Sequence, residues 1–354
     1  MRQPETRPLR VAWLSPIPRW AAVEARRRGE APDIEMGFDA VRACGIEPTL
    51  IDPLPWPWNP WRNGHSLHAG IDPLRTLGLA PRLGRYDVIF SDGESSVLGL
   101  LALKPLLRFR APVVVWDPAI GGGWRLRQRS LAFALPRVDR ILLVGSNQES
   151  WLLRHMPGAA PARAIQHWVD TDFFAPAPPP RDGYVLSVGN DLGRDFATLI
   201  EAVRDLGVAM RLRTDLPVAA PLPEAMELLR ERASFAALRN LYAGAGVVVV
   251  PVRDTVHASG VNGVLEAMAM GRPLVATRSA GLADFLRDGE TCLTVPPGDA
   301  AALRAAIGRL RGDAELAARL GAAARQDAEA RFGLAPFAER LAAELWAVHR
   351  DHAR

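Results

Sequence analysis

The chain has 354 residues, 49% hydrophobic and 23% charged, with a formal net charge of +4. That length exceeds the size at which one hydrophobic core stops growing, so two domains are expected, and the balance excludes a disordered or fibrous chain. No run of about 18 uncharged apolar residues occurs, the amino terminus lacks an apolar signal core, and two cysteines, Cys44 and Cys292, are too few for a disulfide framework. The reading is a cytoplasmic protein with both thiols in its core and no zinc site.

In chain order, the runs LRVAWLS (9–15), YDVIFSD (86–92), APVVVWD (111–117) and DRILLVGS (139–146) are short and apolar and end in small or polar residues. Strands buried on both faces of a parallel sheet have this pattern. Helical patterns fall between them, as at 34–44 and 95–107, so the first half reads as strand–helix units with right-handed crossovers. PLPWPWNPWRNGHSLH (53–68) has two readings. Its three tryptophans form a platform for a sugar or a membrane interface, or they pack against their own domain in a proline-stiffened loop. His65 and His68 would share a metal only on a helix, which the prolines discourage. Residues 104–140 carry eight basic side chains and two acids. Such a patch suits an anionic substrate or anionic membrane surface, or is a solvated face; no nucleic-acid partner is expected. LALKPLLRFR (101–110) likewise lies on anionic lipid, or is a half-buried helix breaking near Pro105.

FFAPAPPPRDG (173–183) packs four prolines into a short window and reads as a linker. The alternation then restarts, with strands expected at 184–190, 208–214, 246–252, 273–277 and 292–296. Helices are expected at 195–206, 235–243, 261–270, 299–310 and 315–330, and a last amphipathic helix at 334–348. The resulting α/β picture is two doubly wound, Rossmann-like domains, 1–176 and 177–333, facing each other across a cleft. Residues 334–354 are expected to pack back on the first domain.

HASGVNGVLEAMAMGRPLVAT (257–277) follows an expected strand and opens a helix. Ligands of open α/β sheets bind at that end of the strands. Small residues let backbone approach a ligand closely, and a helix start offers unpaired N–H groups, so Ser259, Gly260, Val261, Asn262 and Gly263 suit a phosphate or diphosphate. Glu266, further along the helix, could accept two hydrogen bonds from a ribose diol. The alternative is a Gly/Ser-rich turn with a surface glutamate. SVGNDLGRDFATLIEA (187–202) repeats the strand–loop–helix form. Arg194 stands where that helix begins, a poor place for a cation unless it faces an anion.

Four segments carry a family resemblance: SVGNDLGRDFATLIEA, LRNLYAGAGVVVVPV, GVNGVLEAMAMGRPLVAT and FLRDGETCLTVPPGDAAAL. Residues 184–310 resemble the donor-binding domain of family-4 retaining glycosyltransferases, which have the two-domain GT-B fold. The first half is similar more loosely, through RVDRILLVGSNQESWLLR and IQHWVDTDFFAP. The resemblance implies that Glu266 holds the nucleotide ribose, that Arg194 meets the donor diphosphate, and that the amides of 259–263 meet diphosphate and sugar. Gly189 and Asn190 fall where the family has glycine and arginine. A second glutamate, eight residues before the ribose acid, is replaced by Ala258, which leaves Asp254 or His257 to take its role. Asp117 falls near a histidine of the family and would orient a donor hydroxyl or help deprotonate an acceptor; the alternative is a turn cap. Gly121, Gly122 and Gly123 would form an acceptor loop. The family's glycine-rich loop after the first strand is replaced by LSPIPRWAAVEARRRGEAP. Asp170-x-Asp172 mimics the metal pair of the other glycosyltransferase fold but precedes the proline run, so neither a metal nor another cofactor is expected.

The activity so implied is transfer of a sugar from a nucleotide-diphosphate sugar, a UDP-sugar by preference, to an unidentified acceptor with retention. The acceptor would be a cell-surface glycan precursor, a lipid at the inner membrane face, or a small molecule. Two readings stay open beside it: a sugar-nucleotide epimerase of like fold, and a non-catalytic binding or scaffold protein with a degraded site.

Overall fold

The computed structural model describes residues 7–53, 73–118, 120, 125–204, 206–218 and 221–353. The tryptophan-rich loop, His65, His68 and the triple glycine lie outside the described residues. The chain divides into two units, one made of residues 7–27, 33–166 and 335–354, the other of 28–32 and 167–334.

The first unit is built on six parallel strands: β1 (Leu9–Leu14), β2 (Ile46–Ile51), β3 (Val88–Asp92), β4 (Val113–Trp116), β5 (Arg140–Leu143) and β6 (Ala162–Ala164). Their order is β2-β1-β3-β4-β5-β6. Helices α1 (Trp20–Arg27), α2 (Pro73–Leu79), α3 (Leu98–Leu107), α4 (Arg125–Ala134) and α5 (Ser146–His155) connect them. Val113, Val114 and Val115 are wholly buried, as a central parallel strand covered on both faces requires. One core cluster joins Ile89, Val113, Val115, Ile141 and Leu143 to Leu100, Leu131 and Leu152 from the helices.

The second unit holds β7 (Tyr184–Val188), β8 (Met210–Arg213), β9 (Met226–Leu229), β10 (Ala245–Val250), β11 (Leu274–Thr277) and β12 (Leu293–Val295). Here the order is β12-β11-β10-β7-β8-β9, again all parallel. Helices α6 (Phe196–Val203), α7 (Phe235–Ala243), α8 (Val261–Ala269), α9 (Ala300–Gly312) and α10 (Ala314–Asp327) accompany them. The last helix, α11 (Leu334–His352), runs into the first unit. There its Phe337 ring meets Trp116 edge-on at 5.5 Å, and its Trp346 indole donates to the Cys44 carbonyl at 3.4 Å.

One departure from the sequence reading, at residues 34–44, has a local physical cause. Residues 34–44 form no continuous helix. The Asp33 carboxylate accepts the amides of Glu35 (3.2 Å) and Gly37 (2.9 Å), Met36 and Gly37 turn left-handed, and only Ala40–Cys44 winds as a 3₁₀ turn. Side-chain bonding of this kind offers the backbone an alternative to a helix. The arginine-rich stretch after β1 contains α1, whose first amides are capped from outside by Asp52, at 2.9 Å to Arg19 and 3.1 Å to Trp20. The proline run belongs to the second unit, where Arg272 Nη2 donates to the carbonyls of Ala177 (2.8 Å) and Pro178 (3.2 Å).

Candidate functional site

The strand order of the second unit reverses direction between β7 and β10, and ligands of such sheets bind beyond the carboxyl ends of the strands at that point. The two loops leaving those ends are stitched together. Asp195 N–H donates to the Pro251 carbonyl at 3.0 Å, Arg253 N–H to that of Gly193 at 2.8 Å, and Arg194 pairs with Val252 as an isolated bridge. The Ser259 hydroxyl donates to Asp191, whose carboxylate also accepts the Gly193 amide at 3.1 Å.

Arg194 sits inside this junction rather than at its mouth. Its side chain has 0% exposure, Asp191 lies 3.9 Å from Nε, and Nη2 donates to the Val188 carbonyl. Nε and Nη1 have no acceptor among the described residues. Burial lowers its pKa, opposed by the charges of Asp191, Tyr242 and Glu266, yet a guanidinium stays protonated throughout the accessible range. The helix it precedes starts one residue later than expected: Asp195 is its cap, accepting the Thr198 amide at 3.2 Å.

The glycines serve the arginine. A side chain at Gly189 would run into the Arg194 guanidinium, and one at Gly260 would lie 2.5 Å from Nη1. Gly260 also holds φ +77°, a left-handed conformation that suits glycine. The small residues therefore admit a guanidinium of this chain, where the sequence suggested open space for a ligand. The loop amides are likewise partly used: Ser259 N–H bonds the His257 carbonyl at 2.7 Å and Val261 N–H that of Ala258 at 3.1 Å. Among the described residues, no acceptor lies on the N–H groups of Gly260, Asn262 and Gly263, as the first turn of α8 leaves them.

Glu266 stands on α8 one turn further on. Its Oε2 accepts a hydrogen bond of 2.7 Å from the hydroxyl of Tyr242, a side chain of 0% exposure at the end of α7. Burial pushes the Glu266 carboxyl up to about 7, while the Tyr242 bond and the Arg194 charge pull it down. Tyr242 in turn is raised well above the ordinary phenol range by burial and by Glu266. Arg194, Glu266 and Tyr242 thus form one electrostatic group. Nothing in the sequence pattern singled out Tyr242, because a tyrosine before a buried strand reads as core.

The remaining candidates scatter. Asn190 turns to the next loop, donating to Asp215 at 2.9 Å and accepting the Asp215 amide at 2.7 Å, so its side chain is spent on the protein. His257 is exposed three residues before Gly260, and its charge, after desolvation as the main cause, helps hold the half-buried His167 down at about 4. Asp254 accepts the Ala280 amide at 2.8 Å. Asp170 accepts the Phe173 amide at 3.1 Å within a turn. Asp117 belongs to the first unit, at the end of β4, with φ +42° and its amide on the Leu142 carbonyl at 2.9 Å.

The first unit has its own switch point, between β1 and β3. Arg19 lies there, 3.2 Å from Asp92 and 3.4 Å from Glu35, with its Nε on the Ser15 hydroxyl at 3.1 Å. Burial pushes the Glu35 carboxyl up to about 8; Arg19 opposes this, and Asp33, Asp92 and Asp52 add to it. This group was not foreseen, since its members are far apart in the sequence.

Residues 211–313 match the family described as Glycosyl transferases group 1. The chain is 28% identical over 284 residues to alpha-maltose-1-phosphate synthase of Mycolicibacterium smegmatis, a match covering 70% of this chain and 72% of that protein. It is 32% identical over 198 residues to the lipopolysaccharide core biosynthesis glycosyltransferase LpsE of Rhizobium meliloti, covering 51% of this chain and 53%, about half, of LpsE. Among solved structures, sucrose-phosphate synthase of Thermosynechococcus elongatus superposes with a TM-score of 0.74 at 19% identity, over 96% of this chain and 99% of that one. HepE of Anabaena in complex with UDP and glucose gives a TM-score of 0.68 at 13% identity, over 96% and 100%. These structures establish the fold, two parallel α/β sheets of GT-B type.

Proposed function

We propose, from the premise of a GT-B glycosyltransferase chain carrying a group 1 domain, that this protein transfers a sugar from a nucleotide-diphosphate sugar, a UDP-sugar by preference, with retention of configuration. The observation that carries the reading is the enclosed Arg194 guanidinium, two of whose nitrogens lack acceptors among the described residues, in the same loop junction as the open amides of Gly260, Asn262 and Gly263. A buried cation with unmet donors is costly, and a diphosphate would relieve that cost. Glu266, one helical turn away and anchored through one oxygen by Tyr242, keeps its other oxygen for a ribose diol. HepE, which is similar in fold, was solved with UDP-glucose, which supports that choice of donor.

The chemistry follows from charge. Cleavage of the sugar–phosphate bond builds negative charge on the departing diphosphate, and fixed N–H donors aimed at that charge are worth about 3–4 kcal/mol each in other enzymes. Arg194 and the α8 amides supply such donors. In a retaining transfer the acceptor attacks from the leaving-group face and a donor phosphate oxygen takes its proton, so no carboxylate pair is required. His257, exposed beside the loop, and Asp117 are the side chains we assign to sugar and acceptor. No metal is required on this reading.

The test is turnover of labelled UDP-sugars against glycan, lipid and small-molecule acceptors, with the product anomer read by NMR. A glycoside of the donor's own configuration is expected, unchanged in excess EDTA. An epimerised nucleotide sugar, or donor binding without turnover, would overturn the transferase reading, and strict dependence on a divalent ion would return Asp170 and Asp172 to consideration.

A further inference from the structure

At the other end of the second unit's sheet lies a cavity of 880 Å³. Gly183, Ala209, Ala245 and Pro273, which line it, stand at or just before the amino ends of β7, β8, β10 and β11. The loops around Arg194 follow the carboxyl ends, so the length of β7, about 17 Å at ~3.3 Å per residue, separates the two places. The volume falls in the range of small-molecule sites, about 300–1,000 Å³.

Two features of its walls define what it would hold. Part of the lining is apolar, with prolines such as Pro180 and with Ala314, Ala318 and Ala322, which recur every four residues along α10. Part is cationic: Arg181, Arg272, Arg311 and Arg325 line the cavity with a single acid, Asp182. These arginines are not equivalent. Arg325 is saturated, with Nη1 on the carbonyls of Thr171, Phe174 and Ala269 and its other nitrogens on Glu329. Arg311 donates to the Gly183 carbonyl at 2.7 Å. Arg272 is 3% exposed, and although Nη2 bonds two carbonyls, its Nε has no acceptor among the described residues. A buried guanidinium with an unmet N–H is the group an anion would satisfy.

We propose that this cavity binds an amphipathic organic anion, its phosphate or carboxylate held at Arg272 and its apolar body laid along the alanine face of α10. An inorganic ion alone would leave that face wet, and a neutral apolar molecule would leave Arg272 unanswered. The site is distinct from the donor loops and does not depend on the transferase reading.

Hexyl phosphate, inorganic phosphate and hexanol, titrated calorimetrically into the full chain, test it. Hexyl phosphate is expected to bind one per chain at least tenfold tighter than either other probe, with saturating UDP making no difference. Ala318→Trp places a large side chain in the cavity from an exposed position on α10 and should weaken hexyl phosphate at least tenfold while leaving the unfolding temperature unchanged. Arg272→Met should weaken it similarly, and Ala318→Trp decides the matter if Arg272→Met does not fold. Equal binding of hexyl phosphate and inorganic phosphate, full affinity in Ala318→Trp, or displacement by UDP would each overturn the proposal.

Discussion

At the scale of single residues, the site turns on one buried bond. Tyr242 donates to Glu266 Oε2 at 2.7 Å, and that bond, with Arg194, holds down a carboxyl that burial pushes up to about 7. Diol binding needs the ionised form, so affinity for UDP-glucose is expected to strengthen as pH rises through about 7. Tyr242→Phe removes a bond that favours the charged form, so the midpoint should move to higher pH. Calorimetric titrations between pH 6 and 8.5 check both; an unmoved midpoint would deny Tyr242 its positioning role. Glu266→Ala is expected to weaken the same ligand tenfold or more with the fold intact, since hydrogen bonds to a charged group are worth about 1.5–3 kcal/mol. Unchanged affinity would count against the ribose assignment.

Among elements, the unit of function is strand, loop and helix, and the loop's conformation belongs to glycine. At Gly260, φ is +77° and the space beyond is filled by Arg194 and Val250. Gly260→Ala meets both obstacles, a backbone cost of about 1–2 kcal/mol and displacement of the guanidinium. UDP-glucose affinity should fall at least tenfold and the unfolding temperature should drop; wild-type affinity would show that Arg194 does not serve the ligand. Asp195→Ala, which removes the α6 cap, should cost about 1 kcal/mol of stability by denaturant titration. The strands that sequence reading missed share a cause. β2, β6 and β9 are all edge strands, paired on one side only, and β2 tolerates Pro48 for that reason. Edge strands lack the two-sided burial that makes β4 or β10 legible as valine runs.

For the whole molecule, stability should carry the signature of Glu35. Its carboxyl is raised to about 8, so the folded chain keeps a proton that the unfolded chain loses near its ordinary value of 4.5. Stability from this group is therefore present below about pH 4.5 and is lost as pH rises through 8. The loss is a few kcal/mol at most, at about 1.4 kcal/mol per pH unit. Glu35→Gln should flatten that fall in denaturant titrations across pH 5–9; an identical pH profile would mean Glu35 is ionised beside Arg19. Composition and period sufficed to read two α/β sheets, because central parallel strands must be apolar on both faces and their connections must be helical. Two strand–loop–helix motifs likewise brought Arg194, Gly260 and Glu266 into one reading, and the family resemblance added Gly189. Only the tertiary structure decided that Arg194 is enclosed by the glycines, that Asn190 is spent on Asp215, and that Tyr242 holds Glu266. Apart from the contact of Gly189 with Arg194, those facts depend on contacts between residues 24 or more apart, whose meeting is set by packing of the whole sheet and leaves no local periodic trace.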